Sequence, residues 1–139
     1  MKFRAILSYS LSTQRPEPGM DVPYKEYRRK CRLVGRIPVA ENLYPCYEYE
    51  KRSQEFVVEA ASAGEAAKKV LSQKDVVKIF GKKAEFGSTT VSGGYTNYTV
   101  LSGNECLGAV YDSGDVRRGG SLSVSKLQPQ GKNETVFID

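Results

Sequence analysis

Residues 62–71 read Ser-Ala-Gly-Glu-Ala-Ala-Lys-Lys-Val-Leu, and their reading divides the chain into two kinds of sequence. Ser62 followed by Glu65 is a capping box, in which the serine hydroxyl accepts from the Glu65 N–H and the carboxylate reaches back to the helix start. Ala63, Ala66, Ala67, Val70 and Leu71 recur at three- and four-residue spacings, with Lys68 and Lys69 turned outward. That pattern predicts an amphipathic helix. Just before it, Cys46 to Ala61 alternates Tyr47 and Tyr49 with Glu48 and Glu50, then enters Phe56-Val57-Val58. It predicts one long strand or a bent pair.

Beyond the helix, Val76 to Phe80 is a β-branched run that reads as a short strand, or as a helical turn or two begun by Asp75, with Gly81 closing it. From Gly87 the chain has β-meander character. Tyr95–Leu101 and Cys106–Tyr111 flank Ser102-Gly103-Asn104-Glu105, which reads as a hairpin turn. Ser113 to Gly120 reads as a glycine-rich loop, Leu122–Ser125 as an alternating strand, and Thr135–Ile138 as a terminal edge strand.

Toward the N-terminus, residues 2–11 alternate, with Phe3, Ala5, Leu7 and Tyr9 on one face, so a first strand is expected there. Thr13 to Pro23 holds three prolines and a glycine and reads as a loop. The next stretch has two readings. Tyr24, Tyr27, Cys31 and Val34 follow helical spacing, while Cys31, Leu33, Gly35 and Ile37 alternate as a strand would. The expectation is a helix from about Pro23 to Arg32, then an extended segment to Val39. The sum is an α+β fold: an antiparallel sheet, meandering in its C-terminal half, with one or two helices on a face. The 139 residues suit a single domain, 1–139.

Cys31, Cys46 and Cys106 are odd in number and widely spaced, and the chain has no histidine. This pattern predicts reduced buried thiols and no metal or cofactor. Lys2 and Arg4 precede a short apolar run that ends at Ser8, too short for an export signal or a membrane span, so a cytoplasmic protein is expected.

Without histidine, Ser-His-Asp and Cys-His machinery is excluded. Cys31, flanked by Arg29, Lys30 and Arg32, is the one nucleophile candidate, but its spacing with Tyr24 and Tyr27 reads as an inner helix face. Glu48 and Glu50 share a strand face beside Lys51 and Arg52, as at a solvated strand end. No catalytic residue is assigned, and a non-enzymatic protein is expected.

Charge placement is the informative feature. Residues 1–52 hold 11 basic and 6 acidic side chains, while residues 53–139 hold 10 of each. Tyr24–Arg36 alone carries Lys25, Arg28, Arg29, Lys30, Arg32 and Arg36 against Glu26, a net of +5 equal to that of the whole chain. Self-repulsion of such a cluster points to an anionic partner, and arginine binds phosphate or carboxylate as a rigid fork. On a helix, Lys25, Arg28, Arg29 and Arg32 form a ridge beside Tyr24 and Tyr27, rings able to stack on bases. Arg117 and Arg118 before Gly119-Gly120 form a secondary anion-binding candidate.

The leading expectation is a module docking segment 24–36 on nucleic acid or a nucleoprotein surface. One alternative is a small protein-binding inhibitor or adaptor, of the kind a mobile element uses against a host defence complex; its support is the nine tyrosines. Another is a viral or assembly subunit facing packaged nucleic acid.

Overall fold

Alternation along Lys2–Pro16 produces β1, a strand whose Phe3, Ala5, Leu7 and Tyr9 are all buried, in a computed structural model that describes residues 1–127. There follow α1 (Tyr24–Leu33), a 3-10 turn (Glu41–Leu43), β2 (Tyr47–Glu59), α2 (Ala63–Leu71), α3 (Lys74–Phe80), β3 (Glu85–Ser92), β4 (Tyr95–Ser102), β5 (Ala109–Asp112) and β6 (Asp115–Lys126). The strands form one six-stranded antiparallel sheet in the order β2-β1-β6-β4-β3, with β5 pairing β6. This is the α+β architecture expected from the sequence. The chain groups into two compact units: Met1–Ser10 with the chain from Lys51 onward, and Leu11–Glu50. The edge strand expected at Thr135–Ile138 lies outside the described residues.

In the first unit, the inward faces of β1, β4 and β6 meet α2 and α3. Leu7, Val100, Leu122 and Val124 come from the strands, and Ala66, Ala67, Val70, Val76 and Phe80 from the helices; all are buried. Phe80 meets the Tyr9 ring edge-on at 5.4 Å between centroids. The capping box forms with one change of partner. Ser62 Oγ accepts from the Glu65 N–H at 3.2 Å, while the Glu65 carboxylate accepts from the N–H of Ala61 at 3.4 Å.

Four expectations are corrected or refined. The first strand runs on to Pro16, so Thr13–Pro16 is strand and the loop begins later; Thr13 Oγ1 donates to the Glu48 carbonyl of β2. The segment after α1, expected as extended to Val39, joins no strand, and Gly35 at φ +71° turns the chain into it. Val76–Phe80 is helical: Val76 and Phe80, four apart, share the buried face, and this tertiary burial overrides β-propensity.

Finally, Ser102–Glu105 does not join paired strands. β4 pairs with β3 and β6, and β5 pairs with the start of β6 through a turn at Ser113-Gly114, so most of the expected Ser113–Gly120 loop is strand. Ser102 Oγ and Asn104 Nδ2 instead donate to the carbonyls of Phe80 and Ile79, each at 2.6 Å. Those carbonyls end α3 and have no partner within it.

The β3–β4 register slips between Phe86 and Thr89, and buried Asp112 serves the irregularity. Its carboxylate accepts from the Ser88 hydroxyl and from the Ser88 N–H at 2.6 Å. These two bonds, in that order, pull the Asp112 pKa below the usual carboxylate range; burial opposes them and Arg117 adds to them.

Two measurements check this account. A Cβ on Gly119 would lie 1.8 Å from the Val100 carbonyl oxygen, whereas one on Gly103 would meet nothing within 4 Å. In chemical denaturation, Gly119→Ala is expected to cost about 3 kcal/mol or more, and Gly103→Ala to stay within about 0.5 kcal/mol. Because the folded pKa of Asp112 is depressed, its contribution is present above the unfolded carboxylate value of about 3.9 and is lost as pH falls through the folded value. The stability gap between wild type and Asp112→Asn is therefore expected to narrow as pH is lowered from 7 through that window.

Candidate functional site

Pro23 precedes the first turn of α1 with φ −57°, and no side chain caps that end. The helix is secured from its inner face. Tyr27 and Cys31, four apart, are its buried residues. Tyr24 Oη donates to the Val39 carbonyl at 2.7 Å, and Tyr27 Oη accepts from the Val39 N–H at 3.0 Å. One backbone unit beyond the helix thus has both its polar groups satisfied by α1. Tyr44 completes a cluster of three rings, stacked on Tyr27 at 4.7 Å and edge-on to Tyr24 at 5.2 Å, with its hydroxyl donating to Val22 O.

The Val39 N–H alone would lower the Tyr27 pKa, but burial and the neighbouring Cys31 thiol outweigh it and leave the phenol raised. Tyr24 and Tyr27, expected beside the basic ridge as stacking rings, are placed in this cluster. Tyr44 had no signal of its own in the sequence beyond standing before Pro45.

Four of the six basic residues of segment 24–36 are brought together. Lys25, Arg28, Arg29 and Arg32 fall three and four apart, share one exposed face of α1, and border a shallow pocket of about 300 Å3. No salt bridge joins any of these four to a carboxylate among the described residues. Like charges at these spacings cost an isolated helix roughly 0.2–0.5 kcal/mol per pair, so the ridge is a local liability that the tyrosine cluster offsets. Lys25 also stands in the first turn of the helix, where the backbone dipole disfavours cations.

Lys30 and Arg36 lie elsewhere. Lys30 pairs with Glu26, one turn earlier, at 3.7 Å, and both Lys30 and Arg36 line a separate cavity on the other flank of α1. Arg117 and Arg118 lie in β6, where Arg118 Nη1 donates to the Leu107 carbonyl at 3.1 Å. The glycines after them are packed against backbone: a Cβ on Gly120 would come within 2.5 Å of the Ser8 carbonyl oxygen.

Cys31 is buried and all three cysteines are free. Among the described residues no three of His, Cys, Asp and Glu converge as a metal site, and no helix is long and apolar enough to cross a membrane. Glu48 and Glu50 are exposed on β2. No family model, curated protein or solved structure matches this chain.

The ring cluster carries its own test. Tyr44→Ala removes one ring of three and the bond to Val22, and is expected to lower stability by about 3 kcal/mol in denaturant unfolding. Tyr27→Phe keeps the ring and deprives the Val39 N–H of its acceptor, for an expected loss of about 1–2 kcal/mol.

Proposed function

We propose that this protein is a non-enzymatic binding module that docks the α1 ridge on the phosphate backbone of nucleic acid. The observation that carries the reading is the set Lys25, Arg28, Arg29 and Arg32: four exposed cations on one helix face, with no salt bridge to a described carboxylate. From Lys25 to Arg32 the helix rises about 10 Å at 1.5 Å per residue. Measured along the duplex axis, that distance covers about three phosphate intervals of one strand, bounded by about four phosphates. Arginine forks suit phosphate oxygens, and three of the four side chains are arginine.

The interaction is with backbone and shows little base preference. Tyr24 and Tyr27, the rings nearest the ridge in sequence, have their hydroxyls committed to Val39 and pack with Tyr44. Phosphate contacts without base contacts position a protein but carry no sequence information.

Fluorescence anisotropy with labelled duplex and single-stranded probes of mixed sequence tests this reading. About four phosphate contacts should weaken duplex affinity roughly a hundredfold between 50 and 200 mM salt. The triple variant Arg28→Glu, Arg29→Glu, Arg32→Glu should bind neither probe at low salt, while retaining the wild-type circular dichroism spectrum. Wild-type protein that ignores both probes at low salt, or a triple variant that binds as well as wild type, refutes the proposal.

A further inference from the structure

The flank of α1 away from the ridge borders a cavity of about 400 Å3 within the Leu11–Glu50 unit. Its apolar lining includes Met20, Cys31, Val34, Ile37 and Val39. Two of these stand in solvent: Ile37 is 94% exposed and Val34 69% exposed. Lone exposed aliphatics are ordinary, but exposed aliphatics bordering a cavity of mixed polar and apolar lining mark a binding surface. Lys30, Arg36 and Glu17 are the charged groups around it.

From these observations we infer that the cavity is a docking site for a protein partner, taking one apolar side chain carried on an acidic segment. Concavity favours an inserted side chain over a flat lipid surface. The charged groups of the lining, Lys30 and Arg36 against Glu17, select the flanks of that segment. Arg36 has no salt bridge among the described residues, and Lys30 is held only by an exposed pair with Glu26, which a partner's carboxylate can replace. Glu17 is the sole acidic residue in the lining. A second copy of the chain would bring Lys30 and Arg36 against their own counterparts, so self-association through this face is opposed. The site is separate from the ridge, because Lys30 and Val34 project from a different side of α1 than Arg28 and Arg32.

The test selects a random displayed peptide library against the full chain, then measures synthetic peptides by anisotropy at physiological salt. The enriched peptides are expected to place Leu, Ile, Met or Phe among Asp and Glu. Val34→Asp and Ile37→Asp, both at exposed positions and so compatible with folding, should each weaken binding about tenfold or more. Arg28→Glu with Arg32→Glu, on the other side of the helix, should change it less than about threefold, because their charges are screened at that salt.

Failure to enrich any peptide overturns the inference, and so does equal binding of a peptide whose apolar anchor is replaced by alanine. Binding unaffected by Ile37→Asp would do the same. Two further results would reassign the surface and reject the protein partner: anionic vesicles bound by wild type and lost in Ile37→Asp, or concentration-dependent dimerisation in light scattering lost in that variant.

Discussion

Two consecutive glycines near the middle of β6 set the spacing of the sheet. A methyl group on Gly119 would overlap the Val100 carbonyl of β4, and one on Gly120 would meet both the Ser8 carbonyl of β1 and the Phe80 ring of α3, the last at 3.2 Å. Backbone from β1 and β4 and a helix side chain therefore all close on one short stretch of chain. β6 pairs with β1 over Phe3–Tyr9 and with β4 over Tyr95–Ser102, and its other buried residues, Leu122 and Val124, continue the same packed layer. Packing at crystal-like density leaves no slack to absorb a methyl group in such a place.

The Leu11–Glu50 unit solves a different problem. Its helix carries charges that repel one another, and its burial is confined to Tyr27 and Cys31. What holds it is a set of rings whose hydroxyls satisfy backbone groups of Val22 and Val39, so the tyrosines supply area and hydrogen bonds together. The consequence for function is directional. With its inner stripe held, α1 turns Lys25, Arg28, Arg29 and Arg32 to one side and Lys30 and Val34 to another, and one helix offers two chemically unlike surfaces.

Much of this was legible from residue order alone. The capping box at Ser62 and the alternation of Phe3, Ala5, Leu7 and Tyr9 are local signals, because each depends on the chain's own period and on groups a few residues apart. The ridge was legible too: it needs only that α1 be a helix. Val76–Phe80 was ambiguous because a short apolar run has no distinguishing period, and burial of Val76 and Phe80 against the sheet decided it. Ser102 ends β4 and Asn104 opens the turn after it; their long-range service to the end of α3 has no signature along the chain. The alternation of Leu33, Gly35 and Ile37 competes with the helical spacing of Tyr24, Tyr27 and Cys31, and the turn at Gly35, φ +71°, is what separates the helix from the segment after it.

By itself the sequence determined the fold class, the first strand, the capped helix, the lack of histidine-based chemistry and the concentration of positive charge in Tyr24–Arg36. All of these follow from composition or from neighbours within one helical turn or strand. Only the tertiary structure decided which strands pair, why Gly119 and Gly120 must be glycine, and where Tyr24 and Tyr27 turn their rings. The reason is the range of the forces involved. Periodicity and capping act between residues close in sequence, whereas strand partners, ring clusters and free charges depend on which distant segments exclude water together.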